Sequence, residues 1–439
     1  MNTPSPVHVV RKAHRYRLRT LPGATERTLR RWEGCCRKVW NLALARQQEN
    51  REAGEKYAGY VAMAKWLTTW RAGAETAYLS NVPVHVLQNV LRSLDAAFQR
   101  FFQKTGGYPR YKRYGETCGL RETDVKCFTV DVANGRIRFP KLGWLRYRNS
   151  QAIQGIPKSA TLRRESDGWY VSVQTEVQLG ASPVPAATAI GAADRGITNF
   201  LATDRGRLVV PLNAHRHSLF RLRRYQRAVA RKIEAAKVAA GVPKDQPFPK
   251  GFRVQPSNRL RKAQARVARM HQKIARQRAD FLHKLSTELA ESHAAFCLED
   301  LQVQNMSASA TGTAAVPGKN VRAKADLNRS ILDQGWSEFA RQLGYKLAWR
   351  GGQLIKVPAA YTSQRCSACG HVHADNRQGE RFRCLACGHT DHADVNAAKN
   401  ILAAGLAVLA GTDQSASGRA GVEEVRTDPI KKVCNRHQR

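Results

Sequence analysis

Four cysteines, Cys366, Cys369, Cys384 and Cys387, form two CxxC pairs, each followed by a glycine (Gly370 and Gly388), with fourteen residues between the pairs. A glycine at that place lets each loop turn tightly enough to aim two thiolates inward, and four thiolates complete a tetrahedral metal shell with no open position. Such a site is structural. A redox pair needs only one CxxC, and a disulfide pair is disfavoured in a reducing compartment. Spacing alone does not separate zinc from a single iron; cellular usage favours one Zn²⁺. His371, His373, His389 and His392 lie beside the pairs, but a saturated sulfur shell leaves them no ligand role.

Seven residues after Cys387 comes Asp394, opening the apolar run Asp394-Val395-Asn396-Ala397-Ala398. Two upstream acids share its setting: Asp194 closes the apolar run Gly191-Ala192-Ala193, and Glu299 closes the run from Ala294 to Leu298. Each alone has an ordinary explanation. Asp194 could be a turn residue before Gly196, Glu299 an exposed strand end with Asp300 as its rival, and Asp394 a helix cap. Together they make two strands that end in an acid and a helix that begins with one. An RNase H-type fold holds two Mg²⁺ ions with that arrangement. Hard cations take oxygen ligands, and two ions about 4 Å apart need several converging carboxylates. One ion would activate a water and the other would stabilise the departing 3′ oxygen of a phosphodiester.

The elements that must position these groups are legible in outline. Residues 7–19 alternate as a strand, and from Ala24 to about Phe102 a 3–4 spacing predicts three or four helices. Basic residues then interleave with aromatics at Tyr108, Tyr111 and Tyr114. Short alternating runs from Phe128 to Val177, with turns at Asn134-Gly135 and Asp167-Gly168, predict a small β-barrel that the N-terminal strand completes. The stretch from Gly180 to Ala187, rich in Pro and Ala, reads as a boundary. Residues 188–211 read as a hairpin. From Arg216 to Lys284 there are 20 Lys/Arg and three acids (Glu234, Asp245, Asp280), a basic helix hairpin broken at 239–256. A short strand ends at Glu299, 302–325 reads as a loop, Asp333 to Trp349 as a helix, and Gln353 to Val357 as a strand.

Composition narrows the partners. A chain of 439 residues with 42% apolar residues should fold into two to four units. Its 73 Lys/Arg against 34 Asp/Glu give a net charge of +39, more than solubility requires, which points to a polyanion. The start, Met1 to Pro6, has no apolar leader, and no stretch approaches the roughly 18 apolar residues of a membrane span. No basic amphipathic anchor stands at either terminus, so a nucleic acid, not a membrane, is the expected polyanion. These features predict a cytoplasmic protein, in bacterial or archaeal cytosol and nucleoid-associated. Cys35, Cys36, Cys118, Cys127, Cys297 and Cys434 show no framework spacing and read as free thiols.

Ile190-Gly191-Ala192-Ala193-Asp194-Arg195-Gly196-Ile197 resembles the first RuvC motif of the transposon-encoded TnpB family, and Leu298-Glu299-Asp300-Leu301 resembles the second. The cysteine pairs followed by Asp394 to Ile401 resemble the family's zinc ribbon and third motif. Tyr108 to Lys112 and Phe139 to Gly143 also resemble it, and the likeness spans roughly residues 8–410. Ala192-Ala193 stands where a small residue plus Val or Ile is usual, and Ala393 where an Arg often stands. The resemblance implies an α/β multi-domain protein: an RNase H-like (RuvC) nuclease with a zinc-ribbon insertion, plus a small β-barrel (wedge) and a helical recognition domain. The expected boundaries are 1–22 with 106–185 for the barrel, 23–105 for the helical domain, and 186–365 for the nuclease with its basic hairpin at 215–293. The ribbon would span 366–390, the last nuclease helix 391–410, and a disordered basic tail 411–439. Asp194, Glu299 and Asp394 would hold two Mg²⁺, and Cys366, Cys369, Cys384 and Cys387 one Zn²⁺. The implied activity is RNA-guided cleavage of double-stranded DNA, with a guide RNA from the transposon end. Alternatives are a CRISPR-like type V effector with array-derived guides, a nuclease-inactive guided repressor, or a strand-transfer enzyme of the same fold.

Overall fold

The computed structural model describes residues 8–179, 188–243, 246, 255–313 and 316–416. The expected boundary at 180–187, part of the break at 239–256, and the tail from 417 with Cys434 lie outside the described residues. The chain divides into two compact units, Met1–Pro183 with Ser218–Arg276, and Val184–His217 with Gln277–Arg439.

In the first unit, strand β1 (His8–Arg17) leads to helices α1 (Gly23–Glu52), α2 (Tyr60–Ala72) and α3 (Val84–Phe102), with a 3-10 turn at Ala74–Asn81. Pro22 and Pro83 precede α1 and α3 and fix the entry of each helix. Leu29, Trp32, Cys36 and Val39 on α1, and Leu87, Leu91, Leu94 and Phe98 on α3, are the buried stripes that the sequence spacing predicts. Six strands follow: β2 (Leu120–Glu122), β3 (Thr129–Asp131), β4 (Arg136–Phe139), β5 (Gly143–Arg146), β6 (Ile156–Glu165) and β7 (Gly168–Leu179). They form an antiparallel sheet ordered β1-β7-β6-β2 and a separate one ordered β3-β4-β5. One core joins helices and sheets, with Trp32, Leu91, Phe139, Tyr147 and Val173 among its members.

The expected barrel is thus two ladders, with β1 and β2 the outer strands of the larger sheet. They meet at a bridge between Leu18 and Tyr147, flanked by hydrogen bonds from Arg19 N–H to the Arg146 carbonyl and from Arg148 N–H to the Arg17 carbonyl. The chain leaves extended pairing between β5 and β6. Gly155 takes φ +80° there, and a Cβ at that place would strike the Glu176 carbonyl. Of the interleaved tyrosines, Tyr108 packs edge-on against Phe98 and Phe101, whereas Tyr114 is 95% exposed.

Two basic helices come next in the chain, α4 (Ala214–Ala239) and α5 (Asn258–Ser292). In the first unit, Arg276 of α5 grips the β6–β7 turn. Its guanidinium donates to Asp167 Oδ2 at 2.9 Å and Glu165 Oε2 at 3.0 Å, while Gln272 donates to the same two carboxylates. Burial raises the Asp167 carboxyl, but hydrogen bonds from Arg276, Gln272 and Tyr170 outweigh it and hold the group well below the usual carboxylate range. A depressed folded-state pKa contributes stability above the unfolded value and loses it as pH falls. Arg276→Ala should therefore cost about 1 kcal/mol at neutral pH, the guanidinium being partly screened by solvent. The difference from wild type in denaturant unfolding should shrink steadily below about pH 4. An equal loss at every pH would contradict this account.

The second unit is built on a five-stranded sheet: β8 (Ile190–Asp194), β9 (Leu201–Thr203), β10 (Leu208–Val209), β11 (Ala295–Glu299) and β12 (Gln353–Val357). Its order is β10-β9-β8-β11-β12. The β8–β11 and β11–β12 pairs are parallel, while β8–β9 and β9–β10 are antiparallel, as the hairpin reading of 188–211 requires. Every residue of β11 is buried, which explains its unbroken apolar run. One face packs Ala193, Phe296 and Leu298 against Phe339, Leu343 and Leu347 of helix α8 (Trp336–Ala348). The other packs Ala192, Cys297 and Ile355 against Ile401 of helix α9 (Ala393–Ala416). Gly405 lets α9 lie close to the sheet, since a Cβ there would collide with Cys297 Sγ.

Three expectations change here. The loop read at 302–325 contains the short helix α6 (Val303–Met306) and the start of α7 (Val321–Gln334), and Gly335 (φ +74°) separates α7 from α8. Asp333, read as a helix start, instead lies in α7 and accepts the His215 and Arg216 N–H groups at the beginning of α4. Ala393–Gly411 has a mean hydropathy of 1.2, long and apolar enough by composition to cross a membrane, contrary to the sequence reading. Its apolar character has a sufficient cause in the sheet face that α9 covers. Three short strands, β13 (Arg377–Gln378), β14 (Arg381–Arg383) and β15 (Thr390–His392), form a small antiparallel ribbon between β12 and α9.

Candidate active site

The four cysteine sulfurs all lie within 4.8 Å of one another, with Cys366–Cys387 at 3.7 Å and Cys369–Cys384 at 3.6 Å. A tetrahedral zinc–thiolate shell with bonds of about 2.3 Å has edges of about 3.8 Å, so the donor set fits zinc. Each loop is closed by the same pair of bonds. Gly370 N–H donates to the Cys366 carbonyl and Cys366 N–H to His371; Gly388 N–H donates to the Cys384 carbonyl and Cys384 N–H to His389. Gly370 and Gly388 have φ +78° and +74°, the left-handed turn that the pattern needs. Two asparagines of α9 anchor the ribbon. Asn396 accepts the Ser367 N–H and donates to the Arg365 carbonyl, and Asn400 donates to the Thr362 and Arg365 carbonyls. His371 and His373 are exposed and stack on each other, outside the thiol cluster.

The three acids meet at one edge of the same unit. The β8–β11 register sets Ala193 opposite Leu298, so Asp194 and Glu299 end neighbouring parallel strands. Asp394 stands in the first turn of α9, the helix packed across β8. Glu299 and Asp394 are each 8% exposed and Asp194 is half-buried. Burial first, then the charges of Glu299 and Asp394, push the Asp194 carboxyl up to about 7. Burial also raises Glu299, against the opposing pull of the Thr362 hydroxyl, Arg195 and Arg377. The carboxylates are not drawn as tightly together as the thiols.

The local partners show that Asp394 is not the cap of its own helix. Asp394 accepts from the Arg377 guanidinium at Oδ1 (2.7 Å) and from Asn199 Nδ2 at Oδ2 (3.2 Å). The start of α9 is instead capped by His392, whose Nδ1 accepts the Asp394 N–H. Glu299 accepts from the Thr362 hydroxyl at 2.5 Å, and the buried Arg195 donates to its backbone carbonyl. The rival Asp300 turns outward to an exposed ion pair with Lys356 at 3.0 Å. Sequence reasoning missed Arg377, Asn199 and Thr362 because each reaches the acids only through folding. Arg195 follows Asp194 directly, but nothing in its type showed that it would be buried.

Residues 170–310 match a family described as "Probable transposase" (OrfB of IS605), and residues 336–401 match "Cas12f1-like, TNB domain". Residues 10–56 match "Helix-turn-helix domain", although here they hold β1 and the single long helix α1. Over 410 residues the chain is 43% identical to "Putative RNA-guided DNA endonuclease InsQ" of Escherichia coli K12, covering 93% of this chain and 96% of that one. The chain belongs to the TnpB family. A Streptomyces pristinaespiralis member named "Putative RNA-guided DNA endonuclease" is 33% identical over 430 residues, 96% of each chain. The TnpB fold is shared with Cas12f1, solved by cryo-EM with sgRNA and target DNA: TM-score 0.51 and 12% identity, over 90% of this chain and 99% of that one. The motif likeness at Asp194, Glu299 and the ribbon therefore belongs to a relationship along nearly the whole chain.

Proposed function

We propose that this TnpB protein is a transposon-associated, RNA-guided endonuclease that hydrolyses double-stranded DNA at one site made by Asp194, Glu299 and Asp394, with two Mg²⁺. The observation that carries the reading is that Asp194 and Glu299 end neighbouring parallel strands beside Asp394 at the start of α9, an arrangement that raises the Asp194 carboxyl. Buried carboxylates that repel one another are costly unless a cation joins them, and oxygen donors suit Mg²⁺. Bound there, the ions would supply an activated water and stabilise the leaving 3′ oxygen. The protein's own part is to aim the acids: Asn199 orients Asp394, Thr362 orients Glu299, and Arg377 balances charge between them. The Cys₄ shell would hold one structural Zn²⁺ and so position Arg377.

We assign residues 23–105 to a helical recognition domain and 1–22 with 106–185 to a barrel-like wedge. Residues 186–365 and 391–410 are the RuvC-like nuclease, 366–390 the zinc ribbon and 411–439 a basic tail. Guide pairing would choose the sequence, so the protein needs charge and A-form shape more than base contacts. In the first unit, Tyr225, Lys232, Arg259, Lys262 and Arg266 line one groove of α4 and α5, suited to phosphates and a stacked base. The reading places the protein in a bacterial or archaeal cytosol, at the nucleoid. The decisive assay purifies the chain with its co-purifying RNA and offers matched DNA with and without Mg²⁺. Free ends only in Mg²⁺ support hydrolysis; joined products, or cutting in chelator, refute it. Binding of RNA should weaken by about 100-fold or more between roughly 50 and 200 mM salt, as counterion release demands. A flat salt dependence in a filter-binding titration would show that the charge serves another purpose.

A further inference from the structure

Away from the acids and the ribbon, the first unit gathers a histidine, two carboxylates and a thiol. His85 lies in the first turn of α3, after Pro83. Glu122 ends β2, and Asp124 to Cys127 form the turn that follows. That turn is closed by Cys127 N–H on the Asp124 carbonyl and by Lys126 N–H on Asp124 Oδ1, which brings the carboxylate and thiol of residues i and i+3 to one side. Asn89 of α3 donates to the Arg121 carbonyl and the Thr123 hydroxyl, fixing helix and turn to each other. The ligand atoms of His85, Asp124 and Cys127 all lie within 4.8 Å of one another.

The distances have the scale of a metal shell. His85 Nδ1 is 3.8 Å from Cys127 Sγ, 3.9 Å from Asp124 Oδ2 and 3.2 Å from Glu122 Oε1; Cys127 Sγ is 3.5 Å from Asp124 Oδ2. A tetrahedral zinc with N, O and S ligands has edges of about 3.3–3.6 Å. One ring nitrogen faces three electron-rich atoms, and a single proton bonds well to only one of them. A second observation also points to a cation: the Glu122 side chain is fully buried and its Oε2 has no partner. Its Oε1 accepts the Thr123 and Asp124 N–H groups, but a carboxylate oxygen left unpaired at that depth is expensive.

We propose that His85 Nδ1, Asp124 and Cys127 form a second zinc site, with the buried Glu122 carboxylate beside the histidine, that clamps the start of α3 to the turn after β2. Its mixed N, O and S donors suit a borderline cation such as Zn²⁺ rather than Mg²⁺. The competing account is a protonated His85 that simply ion-pairs with Glu122 and Asp124, with no metal.

Metal analysis of the full chain, purified from zinc-supplemented cells and dialysed, decides between them. The proposal expects two zincs per chain in wild type and one in Cys127→Ser or His85→Ala, with circular dichroism confirming that the variants are folded. One zinc in wild type, or two that survive both substitutions, would overturn it. Should the variants misfold, zinc-edge X-ray absorption of the wild-type chain answers the same question. Four sulfurs at the ribbon and one at Cys127 average to about 2.5 per zinc, whereas a ribbon alone requires about four. The reading is independent of the nuclease assignment, since no residue of the acid site takes part.

Discussion

Asp194→Asn should abolish guided DNA cleavage, lowering the rate by about 10³-fold or more, while RNA binding stays at the wild-type level. Metal-held charge stabilisation is worth several kcal/mol, and each 1.4 kcal/mol or so is about tenfold in rate. Asparagine keeps the shape of the side chain and removes its charge, so the fold should survive. A second readout separates this from damage. Asp194 is pushed up to about 7 by burial and by its acidic neighbours, so its ionised form is disfavoured in the folded protein. A raised carboxylate pKa costs stability above the folded value, and the cost disappears as pH falls toward the unfolded value. In Mg²⁺-free buffer at pH 8 the variant should therefore melt higher than wild type, and the gain should shrink below about pH 7. Normal cutting by the variant, or a lowered melting point at pH 8, would remove Asp194 from the proposed site.

Cys384→Ser should release one zinc per chain and unfold the ribbon. Cys384 is buried with Cys366, Phe382 and Ala393, and a ribbon of three two- or three-residue strands has little other core. Structural zinc supplies about 10 kcal/mol or more of folding free energy in small modules of this kind. Cleavage should fall to background, because Arg377, the cation shared by Asp394, Asp194 and Glu299, sits on that ribbon. Limited proteolysis should nick the variant within 366–390 and leave the five-stranded sheet intact, since β8, β11 and β12 pair without the ribbon. Retained zinc and full activity would show that the thiols are dispensable.

The helices and strands that the sequence displays most clearly are those with one strong period. The stripe of α3 and the buried run of β11 need only local spacing and the removal of apolar area from water. Helix α7 was hidden because its polar surface offers no such stripe: Ile331, Asp333 and Gln334 are its buried residues. The barrel expectation failed to specify how the ladders divide, because strand alternation shows which side chains face a core and not which strands pair.

The sequence by itself determined the four-thiol donor set of the ribbon, the basic character and the three acids as candidates, since CxxC spacing, net charge and an acid ending an apolar run are local features. Tertiary structure alone decided that Asp194, Glu299 and Asp394 share one edge and that Arg377, Asn199 and Thr362 serve them. It also decided that His85 meets Asp124 and Cys127. Those contacts join residues some 17 to 200 positions apart, and their energies arise from burial and mutual charge, which exist only once the sheet and its helices have closed.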